Sequence, residues 1–313
     1  MVERLQSAMS SSDCICQPNQ FLLCYNWYKQ RGKGCRIVKS YTVEKRHIDS
    51  PGGKMKVLIL RPTRSAKPAG ETPAVLWLHG GGYAVGMTEM IYMSRAIDLV
   101  RKYGAVVLTP EYRLADKAAY PAAMEDCYAA LLYLKQHAEE LGASPDRIMV
   151  GGESAGGGLT VSVCMAARDR GDVNVCYQMP LYPMIDDRDT ESSRSNYGIS
   201  WNTNRNHAAW KLYLRDVVGT PPVYAAPARQ TDYTGLPPAY TFVGDREPFY
   251  CETMTYIENL QKAGVSAAVD VYPTNFHAFD MLLPFLPISK QAVAAFERQY
   301  LDAAQHYCAP QKD

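Results

Sequence analysis

Residues 150–158 read VGGESAGGG, and Gly152-Glu153-Ser154-Ala155-Gly156 fits the pattern G-x-S-x-G. That pattern carries chemistry where it ends a strand and opens a helix. A serine on so sharp a turn projects its hydroxyl away from the sheet, and the flanking glycines permit a close backbone approach. The helix N-terminus behind Ser154 favours developing negative charge. The competing reading is a glycine-rich turn with an incidental serine. A second stretch, HGGGY (79–83), follows the apolar run AVLWL. Three glycines in a row are costly in chain entropy, and their use is exposed backbone N–H groups. The amides of Gly81 and Gly82, with that of Ala155 after the serine, could bind the oxyanion of a tetrahedral acyl intermediate. A phosphate-binding loop fits less well, since neither G-K-[ST] nor G-x-G-x-x-G is present.

A serine nucleophile needs a base, and the base needs an acid to orient it. His277, in YPTNFHAFD (272–280), lies beyond the last strand-like run. A lone histidine near aromatics is more often structural, so its place carries the argument. His47 precedes the core, His79 begins the glycine loop, His137 is mid-helix, His207 is in a polar insertion and His306 is near the end. Between serine and histidine, TFVGDREPFYCET (241–253) offers two carboxylates. Asp245 comes directly after a strand end. Glu247 directly precedes a proline that starts a helix. The one that does not serve the histidine would make a helix-cap or loop hydrogen bond.

These residues need a scaffold that brings strand ends together. KVLILRP (56–62), AVLWLHG (74–80), AVVLTPEY (105–112), RIMVGGE (147–153), YQMPLYP (177–183), AYTFVGD (239–245) and AAVDVYP (267–273) are short, rich in Val, Leu, Ile and Tyr, and bounded by Gly, Pro or Asp. Several are apolar throughout, as expected for strands buried on both faces of a parallel sheet. Helical segments alternate with them over 94–104, 122–142, 155–170, 248–264 and 289–307. The alternation predicts a doubly wound α/β sheet with right-handed crossovers. Residues 1–50 and 185–235 break the rhythm. The second segment holds one short helix (about 206–218) and much polar loop, and such insertions after a strand end usually form lids.

Composition narrows the partners. The 313 residues carry 33 basic against 32 acidic side chains, a net charge of +1, which gives no electrostatic case for nucleic acid or an anionic membrane. No apolar run is long enough to span a membrane. The N-terminus lacks the basic and apolar regions of a signal peptide. Nine cysteines, an odd number, then suggest free thiols in a reducing, cytoplasmic compartment. Cys14, Cys16, Cys24 and Cys35 cluster early, but without paired C-x-x-C spacing or a nearby histidine, so no metal is expected.

HGGGY, EYRLA (111–115), YPAAMED (120–126), SPDRIMVGGESAGG (144–157), LYPMIDD (181–187), GLPPAY (235–240) and FHAFD together resemble the hormone-sensitive-lipase-like, or HGGG, esterases of the α/β-hydrolase superfamily. The resemblance runs from about residue 40 to the end. It implies an α/β-hydrolase fold with core segments 51–184 and 236–313, and a helical cap built from 1–50 and 185–235. It implies a serine carboxylic ester hydrolase with no cofactor. The family's acid region reads G-x-x-D-P-[LF]-x-x-E. Laid without gaps, Gly244, Pro248, Phe249 and Glu252 keep register, so Glu247 takes the acid position and Asp245 falls on a variable one. Asp245 stays the rival because a small loop shift could bring it to the histidine. Two departures, Glu111 and Glu153 where the family often has aspartate, leave the mechanism untouched.

The expectation is therefore a small-molecule ester as partner, with Ser154, His277 and Glu247 catalytic and Gly81, Gly82 and Ala155 binding the oxyanion. A homodimer stays open. Tyr197, Trp201, Asn202, Asn204, Trp210 and Tyr213 in the insertion suggest a compact pocket for short acyl chains, or an acylated sugar; packing of the lid explains them equally well. Amide bonds remain an alternative substrate. A ligand receptor on the same scaffold is another reading, although the plant hormone receptors resembling this family lose the histidine that this chain keeps.

Overall fold

Short apolar runs bounded by turn residues build the centre of one sheet. The computed structural model describes residues 40–63 and 68–312. Among them, β3 (Ala74–Leu78), β4 (Val106–Pro110), β5 (Ile148–Glu153), β6 (Tyr177–Leu181) and β7 (Ala239–Gly244) are buried along their whole length. With β1 (Tyr41–Ser50), β2 (Gly53–Pro62) and β8 (Ala267–Tyr272) they form an eight-stranded sheet in the order β1-β2-β4-β3-β5-β6-β7-β8. β2 runs antiparallel to both β1 and β4; the remaining neighbours pair in parallel.

Residues alternate between the two faces, as the strand period requires. Leu76, Leu78 and Val150 join one core cluster, beneath α2 (Ala122–His137) and α3 (Ala155–Arg170). Val75, Trp77 and Met149 join the other, beneath α1 (Ala96–Tyr103) and α6 (Pro287–His306). A third cluster joins α3 to α5 (Tyr250–Lys262) through Val161, Met165, Tyr256 and Leu260. Helices on both faces explain why the central strands carry no polar alternation.

The assignment of residues 1–50 to an N-terminal cap segment fails for its last part. Tyr41–Ser50 form β1, paired to β2 residue by residue from Tyr41 with Pro62 to Ser50 with Gly53. The sequence hid this strand because it lies at the sheet edge and is mostly solvated, with only Ile48 fully buried. Residues 1–39, with the helix-like stretch FLLCYNWYKQ and the four early cysteines, lie outside the described residues. In the 185–235 insertion the helix is α4 (Thr203–Tyr213), earlier than expected. The Asn202 side chain caps it by accepting the Arg205 amide at 3.1 Å.

Candidate active site

Ser154 sits between β5 and α3 at φ 59° and ψ −118°, a conformation most residues avoid. Its neighbours enforce the turn. A Cβ on Gly156 would lie 2.0 Å from the Leu78 carbonyl oxygen, and one on Gly152 would lie 2.4 Å from the same atom. Only glycine lets the elbow press so closely on the end of β3. The Ser154 amide donates to the Leu181 carbonyl at 3.0 Å, which fixes the elbow to β6. Ala155 opens α3, so its amide has no intrahelical acceptor.

Loops at the same ends of the strands converge on that serine. Nε2 of His277, from the loop after β8, lies 2.9 Å from Ser154 Oγ. Nδ1 of His277 meets Glu247 Oε2, from the loop after β7. The other Glu247 oxygen accepts the Gly244 amide at 3.1 Å. Glu247 is 0% exposed, His277 5% and Ser154 7%, so this hydrogen-bonded chain is shielded from water. Asp245 is not part of it. Its side chain is exposed and accepts from Arg246 Nε at 3.2 Å. The imidazole is boxed by aromatic edges, with Phe249 at 4.9 Å and Tyr182 at 5.0 Å between ring centroids. A hydroxyl, an imidazole and a buried carboxylate in this order can pass a proton from oxygen to nitrogen as the oxygen attacks an electrophile.

The glycine loop closes the fourth side. A Cβ on Gly80 would lie 3.3 Å from Ser154 Cβ, so this backbone runs along the nucleophile. Gly81 and Gly82 adopt φ 122° and 59°. The Gly81 carbonyl accepts the Ala84 and Val85 amides at 3.1 and 3.0 Å. His79 anchors the loop from beneath. Its ring stacks on Tyr112 at 4.2 Å, and its Nδ1 lies 2.8 Å from the Gly80 carbonyl, so that nitrogen carries the proton. Burial lowers its pKa to about 4, so it is neutral. Tyr83, next in the loop, stacks on Tyr213 of α4 at 4.1 Å and donates to the Met184 carbonyl at 2.7 Å. Among the described residues no group of three or more His, Cys, Asp or Glu could hold a metal ion. No helix among them is long and apolar enough to cross a membrane.

Residues 75–281 match the family described as alpha/beta hydrolase fold. The chain belongs to the hormone-sensitive-lipase-like branch of that family. It is a hydrolase. The esterase LipI of Mycobacterium tuberculosis is 31% identical over 78% of this chain and 77% of its own length. An acetyl-hydrolase of Streptomyces hygroscopicus is 32% identical over 74% of this chain and 75% of its own. Among solved structures, a bacterial heroin esterase superposes with a TM-score of 0.85 at 31% identity, covering 97% of both chains.

As in any α/β-hydrolase, strand ends set the geometry here, yet several residues that shape this site were not legible as such. His79 reads in sequence as the mere start of the glycine loop. Arg95 stood in no motif, and Tyr182 and Asp280 stood inside LYPMIDD and FHAFD with no role read for either. Of the insertion's aromatics, Trp210 and Tyr213 are buried packing, and Tyr197 is 91% exposed. Trp201 alone among them comes near the imidazole, at 6.4 Å between ring centroids.

Proposed function

We propose that this hydrolase is a carboxylic ester hydrolase acting on short acyl chains through a Ser154–His277–Glu247 triad and an acyl-enzyme intermediate. The observation that carries the reading is Ser154 Oγ at 2.9 Å from the Nε2 of a buried, carboxylate-bound histidine. His277 takes the hydroxyl proton as Ser154 attacks the ester carbonyl. The oxyanion rests on the amides of Gly81, Gly82 and Ala155. His277 then hands the proton to the departing alcohol, and in the second half activates a water that releases the acid. Glu247 keeps the proton of the resting imidazole on Nδ1 and stabilises the charged ring.

The preference for short chains draws on two supports. One relative at 32% identity is named an acetyl-hydrolase. The Trp201 ring also crowds the glycine loop, where a Cβ on Gly82 would lie 2.4 Å from its Cη2. Residues 185–235 serve in this reading as a cap, with α4 resting on Tyr83 beside the oxyanion amides.

The test is labelling with a fluorophosphonate and hydrolysis of p-nitrophenyl acetate, each with Ser154→Ala alongside. Wild type is expected to label at Ser154, and the substitution to lower kcat by about three to six orders of magnitude. Near-wild-type hydrolysis by Ser154→Ala would overturn the assignment. Ligand binding without labelling would turn the reading to a receptor.

A further inference from the structure

Beneath the serine and histidine loops lies a buried ionic cluster that the acyl-transfer steps do not use. Arg95 is 8% exposed, Glu153 2% and Asp280 0%. Glu153 directly precedes Ser154, and Asp280 stands three residues after His277. Arg95 Nε lies 3.1 Å from Asp280 Oδ2, while Asp98 is the outer neighbour of the guanidinium at 3.9 Å. Among the described residues Glu153 has no ion pair. Its oxygens accept from neutral donors, the Trp77 indole at 2.9 Å and the Arg95 amide at 3.4 Å. One buried cation beside two buried carboxyls calls for one negative charge, and the contacts give that charge to Asp280. Burial and the neighbouring Asp280 push Glu153 up to about 8, in keeping with Glu153 holding a proton.

The charged member reaches toward the imidazole through one side chain. Tyr182 donates its hydroxyl to Asp280 Oδ1 at 2.9 Å. The same ring stands edge-to-face with His277, 5.0 Å between centroids and 79° between planes. Tyr182 is fully buried and adopts φ 35°, a left-handed conformation rare for a bulky residue. Such outliers persist where surrounding contacts over-determine them, and they gather at functional sites. Here the contacts are the Asp280 bond at the hydroxyl and the Tyr182 amide on the Phe242 carbonyl at 3.2 Å. Burial raises the Asp280 carboxyl, and the Arg95 guanidinium and the Tyr182 hydroxyl both oppose that rise.

We propose that Asp280 is a positioning residue for His277, acting through Tyr182, with Arg95 as the counter-ion that keeps it charged. The proposal rests on the acyl-transfer reading and adds a second support for the imidazole. Glu247 holds the ring at Nδ1, and Tyr182 limits its swing from the side. Neither Tyr182 nor Asp280 touches the reacting atoms.

The experiment compares Tyr182→Phe, Asp280→Asn and the double variant on p-nitrophenyl acetate, with kcat and KM separated and fluorophosphonate labelling of each. Tyr182→Phe keeps the ring and removes only its anchor. It is expected to lower kcat about tenfold with KM within about twofold, the signature of a misplaced base. The double variant is expected to be no slower than Asp280→Asn alone, because both changes cut one path. A Tyr182→Phe kcat within about twofold of wild type, or losses that multiply in the double variant, overturns the proposal. A second readout does not need turnover. The low-field Nδ1 proton resonance of His277 is expected in wild type and should broaden or vanish in Tyr182→Phe; an unchanged resonance overturns the proposal. If wild type neither labels nor hydrolyses, the acyl-transfer reading fails by itself, and the resonance alone decides the positioning role.

Discussion

Glu247 meets Nδ1 of His277 with one carboxylate oxygen while its other oxygen accepts the Gly244 amide at 3.1 Å. The second bond ties the glutamate to the end of β7, so the longer side chain reaches the imidazole from a fixed base. Glu247→Gln is expected to lower kcat about three to four orders of magnitude, since an amide would favour the wrong imidazole tautomer. Glu247→Asp, shorter by one methylene, should lie between that variant and wild type. Asp245→Ala should stay within about threefold of wild type, because its exposed carboxylate faces Arg246. Steady-state kinetics on a p-nitrophenyl ester ranks them. The opposite ranking returns the orienting role to Asp245.

Gly156 touches the carbonyl of Leu78 so closely that no Cβ fits, at 2.0 Å from that oxygen and 2.6 Å from the His79 oxygen. Both neighbours are backbone, which cannot rotate away. Gly156→Ala must therefore push β3 and the glycine loop off the elbow. Overpacking of this kind costs about 3 kcal/mol, at the upper end for added methyl groups. Denaturant unfolding should show that loss, and activity should fall with it. An unfolding midpoint equal to wild type would mean that the elbow can open without cost.

What was legible in the sequence is what is local. The run from β5 through Ser154 into α3 is strand, turn and helix in consecutive residues, so period, glycines and serine all speak at once. The register against Pro248 and Phe249, neighbours in the chain, points to Glu247, and Glu247 is the carboxylate that meets His277 Nδ1 in the fold. Features that depend on distant pairing were hidden. β1 carries Lys45 and Arg46 on an edge strand and shows no apolar stripe until β2 is laid beside it. Arg95 and Asp280 meet only because α1 and the histidine loop lie over the same end of the sheet. The aromatics of 185–235 have one composition and several fates, and only packing separates Tyr213, stacked on Tyr83, from Trp201, turned toward the imidazole.

Two buried groups set opposite pH dependences of stability. His79 titrates at about 4 in the fold against an ordinary value of 6.5, because burial disfavours its charge. Between those values the unfolded chain binds more protons, so this contribution is complete above 6.5 and is lost as pH falls through about 4. Glu153 runs the other way. Burial and then Asp280 raise it to about 8 from 4.5, so its contribution is complete below 4.5 and is lost as pH rises through about 8. Glu153→Gln should therefore flatten the decline in Tm between about pH 4.5 and about 8 and leave the slope below 4.5 unchanged. An identical decline over that window in wild type and variant would show that Glu153 is already ionised in the fold.

Trp201 is the insertion side chain best placed to limit the substrate. Its ring covers Gly82, lies 6.4 Å from both Phe249 and His277 between centroids, and is held by a 3.3 Å bond from its Nε1 to Asn206. It is only half-buried, so its loss should cost the fold little. Trp201→Ala would open space beside the oxyanion amides without altering the hydrogen-bonded chain from Ser154 to Glu247. The kcat/KM for a p-nitrophenyl octanoate relative to the acetate is expected to rise about tenfold, the scale at which a hydrophobic pocket discriminates small differences in chain length. Most of that change should come from the longer ester, the one whose chain gains from added space. A ratio that stays at the wild-type value would assign the chain-length limit to another wall of the site.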